Sequence, residues 1–253
     1  MSGPAPSTAS VPADRAASRG PAADQTPPGT LATLRAILAK DLRVELRTLE
    51  SVPAMAIFAV TVFVVFRFAL DRTRLEGDLA AGVLVVTLLF AAILAINRVF
   101  VAEREQHGLE GLLLAPIERT AVLGAKVAAL VIYLLAVQLV TVPAFAIFFL
   151  DDWPAALPAT FGVLVLMDLG LATAGALIAS MAVQTRARDL IVPLLLLPML
   201  TPLVIGTASA LGPILADPGP SFDRFATWLA VIGLYDMVVS LIAWAVFDYV
   251  VED

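Results

Sequence analysis

The segment Phe100–Pro116, FVAEREQHGLEGLLLAP, sets the charges of Glu103, Arg104, Glu105 and Glu110 beside an apolar cluster of Leu109, Leu112, Leu113 and Leu114. It also holds His107, the only histidine of the chain. Charge followed by a compact apolar face suits a short amphipathic helix that docks on a soluble partner, and a lone imidazole there reads as a surface contact rather than a metal site. Two further acids, Asp168 and Asp236, stand inside apolar runs. An ionised Asp at the centre of a bilayer costs on the order of 3 kcal/mol on the insertion scale, so each must be protonated, paired or facing water. Trp228 and Trp244 bracket the last run about 24 Å apart by helical rise, with Asp236 midway. The functional reading of the two acids is a cation or proton path. The structural reading is interhelical hydrogen bonding, favoured because no intramembrane Lys or His relay accompanies them.

The elements that position these groups follow from composition. Sixty per cent of the 253 residues are hydrophobic, the mean hydropathy is +0.93, and apolar runs recur at the ~20 residues that cross a bilayer core. The chain reads as polytopic, and its length divided among spans leaves no separate catalytic domain. Cysteine is absent, which removes disulfide, thiolate-metal and dithiol redox chemistry. A net charge of −6 argues against nucleic acid as a partner.

Residues Met1–Gly29 form a low-complexity tail of Ala, Pro, Ser, Thr and Gly without the apolar h-region of a signal peptide, and read as disordered and cytoplasmic. From Thr30, a possible N-cap, to Glu50, Leu31, Leu34, Leu38, Leu42, Leu46 and Leu49 recur at three- and four-residue steps. Lys40, Arg43 and Arg47 lie off that stripe, so this helix is expected in the membrane interface with its basic groups toward anionic headgroups. Six spans are expected: Val52–Leu70, Leu79–Ile96, Val122–Leu150, Leu157–Val183, Leu190–Leu215 and Phe225–Val250. Pro193, Pro198 and Pro202 make the fifth the expected broken or re-entrant element, and Pro143 bends the third. In the fourth, Ala172, Ala176 and Ser180, with Gly175 and Ala179 beside them, mark a close-packing face, within one chain or between two copies.

Positive charges set the orientation. Arg35, Lys40, Arg43, Arg47, Arg98, Arg104, Arg119, Lys126, Arg186 and Arg188 fall on one side, against Arg72, Arg74 and Arg224 on the other. Both termini and the 97–121 loop are therefore expected in the cytoplasm of an inner-membrane, multi-pass protein.

With that topology, the stretch Asn97–Lys126, NRVFVAEREQHGLEGLLLAPIERTAVLGAK, resembles the cytochrome c maturation permease family CcmB, or heme exporter protein B, within the type-2 ABC exporter class. The resemblance rests on the acidic-basic run, Gly108-Leu109-Glu110, the leucines closing on Ala115-Pro116, and Gly124-x-Lys126. Arg188-Asp189-Leu190 before a proline-punctuated span and Lys40-Asp41-Leu42-Arg43-x-Glu45 support it. It covers about residues 31–250. It implies an all-α polytopic fold: an N-terminal amphipathic interfacial helix over 30–50, then a six-span domain over 51–253 with a cytoplasmic coupling helix at about 100–116. Glu103, Arg104, Glu105, Gly108, Leu109, Glu110, Leu113 and Pro116 are the ATPase-docking residues it implies. The partners it implies are a CcmA-like ATPase, CcmC-like and CcmD-like membrane subunits, a CcmE-like haem chaperone and a second copy of the chain. The chain is then a non-catalytic subunit: it has no Gly-x-x-x-x-Gly-Lys-Ser/Thr phosphate loop, ATP belongs to the ATPase, and haem reaches the complex through its partners.

Haem iron is usually held by His, Cys, Met or Tyr. Met55, Met167, Met181, Met199 and Met237 are conceivable ligands, but Met in apolar spans is ordinarily packing filler. A lever for chaperone release is accordingly preferred to a haem pore. Two other functions compete: a type-2 ABC permease exporting a lipid, polyketide or drug, and a partner-free secondary transporter or channel. Against the last, the two halves show no convincing internal repeat.

Overall fold

A computed structural model describes residues 29–48, 51–72, 74–105, 119–150, 153–182, 188–216, 222 and 225–250. These fold into seven α-helices: α1 (Thr30–Thr48), α2 (Ser51–Ala69), α3 (Gly77–Glu105), α4 (Arg119–Phe149), α5 (Trp153–Ala182), α6 (Arg188–Ile214) and α7 (Phe225–Val250). Among the described residues there is no strand. Helices α2 to α7 are each long and apolar enough to cross a bilayer, as the six expected runs require. In lipid a helix satisfies its backbone groups internally, which is why such runs have little alternative.

The core is built around α3 and α5. Within their apolar windows 72% of residues are buried, against 22% in α2 and α7. Helix α5 packs on α3, α4, α6 and α7, and α1 lies against α4. Close approach of α3 and α5 depends on small residues. Ala172, Ala176 and Ala179 are wholly buried, and a Cβ built on Gly175 would collide with the Ile96 side chain. This small-residue face is thus spent on packing inside the single chain.

One end of the bundle is fastened by backbone groups. Leu75 N–H donates to the Phe149 carbonyl at 3.2 Å and Gly77 N–H to the Leu215 carbonyl at 2.9 Å. Both carbonyls lie just at or beyond helix ends and lack intrahelical donors. Arg67 at the end of α2 donates to the Phe148 carbonyl at 3.0 Å, so a cation sits at the negative end of α4. The ends of α2, α4 and α6 and the start of α3 therefore share one face. Beneath it Phe63, Phe145 and Phe149 pack together, Phe63 meeting Phe145 edge-on at 5.3 Å between ring centroids.

Two expectations are corrected. Helix α6 is continuous from Arg188 to Ile214 although Pro193, Pro198, Pro202 and Pro213 lie inside it. It is neither broken nor re-entrant. A transmembrane helix tolerates proline when it is packed among neighbouring helices, and this one lies against α3, α5 and α7. Second, Gly29 rather than Thr30 occupies the cap of α1: its carbonyl accepts from Ala32 and Thr33 N–H at 2.8 and 3.1 Å. The leucine stripe of α1 meets two surroundings, Leu34 packing beside Ile37 against α4. Thr33 and Ile37 are buried, while Leu31 and Leu46 are 77% and 72% exposed.

Glycines on different faces should therefore respond oppositely to the same change. Gly175→Ala should destabilise the purified protein by about 1–3 kcal/mol, the usual cost of overpacking. Gly82→Ala, where a Cβ meets nothing within 4 Å, should be neutral or stabilising by up to about 1 kcal/mol through helix propensity. Thermal unfolding in detergent compares them; equal effects would contradict the α3–α5 contact.

Candidate functional site

Glu103, Arg104 and Glu105 form the end of α3, and their side chains lie outside the described residues, as do Gly108, Leu109, Glu110, Leu113 and Pro116 in full. What is described is the pair of helices that flank them. The apolar span of α3 ends at Arg98, yet the helix runs on unbroken to Glu105. Its 29 residues rise about 43 Å, more than the ~30 Å of a hydrocarbon core. The last turns therefore extend beyond the bilayer, and the chain returns through Arg119 at the start of α4.

The beginning of α4 is clamped to α1. Lys126 Nζ donates to Asp41 Oδ2 at 2.8 Å, and Tyr133 Oη donates to the Asp41 backbone carbonyl at 3.1 Å. The Lys126 side chain is 5% exposed and that of Asp41 12%. A lysine this deep requires a fixed partner, because leaving the charge unpaired would cost several kcal/mol. Lys40, 3.8 Å from the other Asp41 oxygen and half exposed, adds little. Around the ion pair, Ile37 packs on Val122 and Ala125 with Leu34 beside them. Leu34 Cδ1 stands 3.2 Å from a Cβ built on Gly124, so a methyl added there would have to displace the end of the Leu34 side chain slightly. One turn beyond Asp41, Glu45 Oε1 accepts from the Ser51 and Val52 N–H groups at 2.9 and 3.1 Å. That carboxylate caps the otherwise unsatisfied amino end of α2 and complements its dipole.

The residues of two separated motifs, Asp41 and Glu45 in one and Gly124 and Lys126 in the other, thus meet at one joint. Reading the sequence ranked Lys126 among flanking positive charges and missed its pairing. The available signal was a lone lysine several residues inside an apolar run, which demands a partner.

The two intramembrane acids lie on different sides of α5. Asp168 is 2% exposed, with the Gln138 side-chain amide of α4 beside its carboxyl. Asp236, on α7 and 4% exposed, has neither oxygen hydrogen-bonded. It approaches Gly170, where a Cβ would collide with Asp236 Oδ1 and press on Leu203 and Tyr235. Positions 168 and 170 are about 200° apart around a helix, which separates the acids into two environments.

A groove of about 520 Å³ opens between α4, α5 and α7, with Gly124, Val131, Leu169, Thr173, Ser240 and Trp244 on its walls. Its lining contains no His, Met or Tyr and so offers no side-chain ligand of the kinds that hold haem iron. Met55 and Met167 are fully buried in the apolar core, while Met181 and Met237 lie on the outer surface. Among the described residues, no cluster of His, Cys, Asp and Glu could hold a metal ion.

A family model described as CcmB protein matches residues 32–249. No curated protein and no solved structure matches the chain. The matched stretch runs from the first turn of α1 to the last residues of α7, so it takes in the clamped joint, both intramembrane acids and the segment between α3 and α4. With six membrane-spanning helices and nearly its whole length matched, this chain belongs to the CcmB family, the permease component of the haem exporter in cytochrome c maturation.

Proposed function

We propose that this chain couples ATP hydrolysis by a separate CcmA-like ATPase to haem handling and to release of a haem-loaded CcmE-like chaperone. The observation that carries the reading is the unbroken α3, which joins the 106–118 segment directly to the most buried part of the bundle. A displacement of that segment by a closing ATPase is a displacement of α3 and of the start of α4. Through Lys126 and Asp41 it reaches α1, and through Glu45 it reaches α2. The segment then acts in the cytoplasm of a cell with this chain in its inner membrane and both termini cytoplasmic. CcmC-like and CcmD-like subunits would present haem to the chaperone, and a second copy of the chain would receive the second ATPase of a closing pair. The chain itself binds neither ATP nor haem in this reading.

Charge reversal at Glu103 or Glu110 tests the docking surface. Like charges brought together at an interface cost several kcal/mol, so the amount of ATPase that copurifies should fall about tenfold or more with membrane insertion intact. Normal complex assembly and ATP-dependent maturation in both variants would remove these residues from the contact. An ATPase recovered without CcmC-like or CcmD-like subunits would favour export of a lipid, polyketide or drug instead.

The joint makes a separate prediction. Lys126→Met strands a buried carboxylate and should cost about 3–5 kcal/mol, whereas Asp41→Leu combined with Lys126→Met should recover most of that loss. Thermal midpoints of the purified variants distinguish the cases; a single substitution without effect would mean that α1 is not held by this pair. If the charges also serve coupling, the stable double variant should hydrolyse ATP in the complex yet mature less cytochrome c.

A further inference from the structure

We propose that Gln138 and Thr141 of α4 and Asp168 of α5 form a buried binding site for one desolvated monovalent cation of sodium size. The three residues are 1%, 0% and 2% exposed. The Gln138 amide lies beside the Asp168 carboxyl, and Gln138 Oε1 and Asp168 Oδ2 are buried without hydrogen-bond partners. Thr141 follows Gln138 by three residues, so the two share a helix face, and its Oγ1 is likewise unpartnered.

That hydroxyl departs from the pattern of the bundle. Thr61, Thr87, Thr173, Thr201 and Thr207 each donate to the carbonyl four residues earlier, at 2.7–3.0 Å. Thr141 does not. Thr160, 2% exposed and also unpartnered, extends the set of unused oxygens along α5 toward its connection with α4.

Chemistry and charge then select the ligand. Carboxylate, amide and hydroxyl oxygens are hard donors, and the absence of sulfur and imidazole disfavours the softer transition metals. Asp168 supplies a single negative charge, and among the described residues no basic side chain pairs with it. Asp236 reaches α5 from the side of Gly170 and does not double that charge. One positive charge neutralises the site, whereas a divalent ion would leave an excess charge in an apolar interior. The site binds an ion in place; it is not a path between the two acids.

The test uses the full-length protein in lipid nanodiscs, with sodium chloride replacing choline chloride at constant ionic strength. A ligand that binds only the folded state raises the unfolding midpoint with the logarithm of its concentration once the dissociation constant is passed. Tryptophan fluorescence should show that rise for the wild type and none for Asp168→Asn. Thr141→Val, which keeps the shape of threonine, should move the onset to about tenfold higher sodium and carries the test should Asp168→Asn fail to assemble. Equal midpoints in sodium and choline would overturn the proposal, as would an unchanged sodium response in Thr141→Val. So would a midpoint that follows pH and ignores sodium, because the carboxyl would then hold only a proton.

Discussion

The Lys126–Asp41 ion pair is the constraint from which the arrangement of one end of the bundle follows. A lysine within an apolar helix must be neutralised, and the Asp41 carboxylate that does so belongs to a helix 85 positions earlier in the chain. That requirement fixes which face of α1 meets α4, with Leu34 packed close over Gly124. Once α1 is set, Glu45 falls where it can cap α2. The first span is thus placed through side chains of a helix that does not itself cross the bilayer.

At the opposite face the ties are made mainly by the backbone, through Leu75, Gly77 and the Arg67 guanidinium on the ends of α4 and α6. Between the two faces, α3 and α5 hold the centre by small-residue packing that leaves little room for independent motion. A bundle tied at both ends and close-packed in the middle moves by shifts of whole helices, since packed interiors are not continuously deformable. This suits transmission of force better than conduction of a large planar ligand.

Much of the plan was legible from local pattern. Long apolar runs dictate helices in lipid, and the six spans follow from them. What escaped was decided by partners distant in sequence. The leucine period of α1 has a sound helical repeat, but Asp41 has to meet Lys126, and that turns Thr33 and Ile37 inward and leaves Leu31 and Leu46 outside. The prolines of α6 suggested a break; packed against α3, α5 and α7, the helix runs on through all four. Asp168 and Asp236 were recognised as costly at comparable depth, yet depth alone cannot reveal that they address opposite sides of α5. The residues from Glu103 to Pro116 proposed to dock the ATPase have side chains outside the described residues.

The central claim, that a CcmB-family chain works as the lever of an ATP-driven complex, is tested most directly by identifying the subunits that copurify with the wild-type chain in mild detergent. The expected result is a CcmA-like ATPase together with CcmC-like and CcmD-like membrane subunits. Recovery of the intact, folded chain with no ATPase would contradict it.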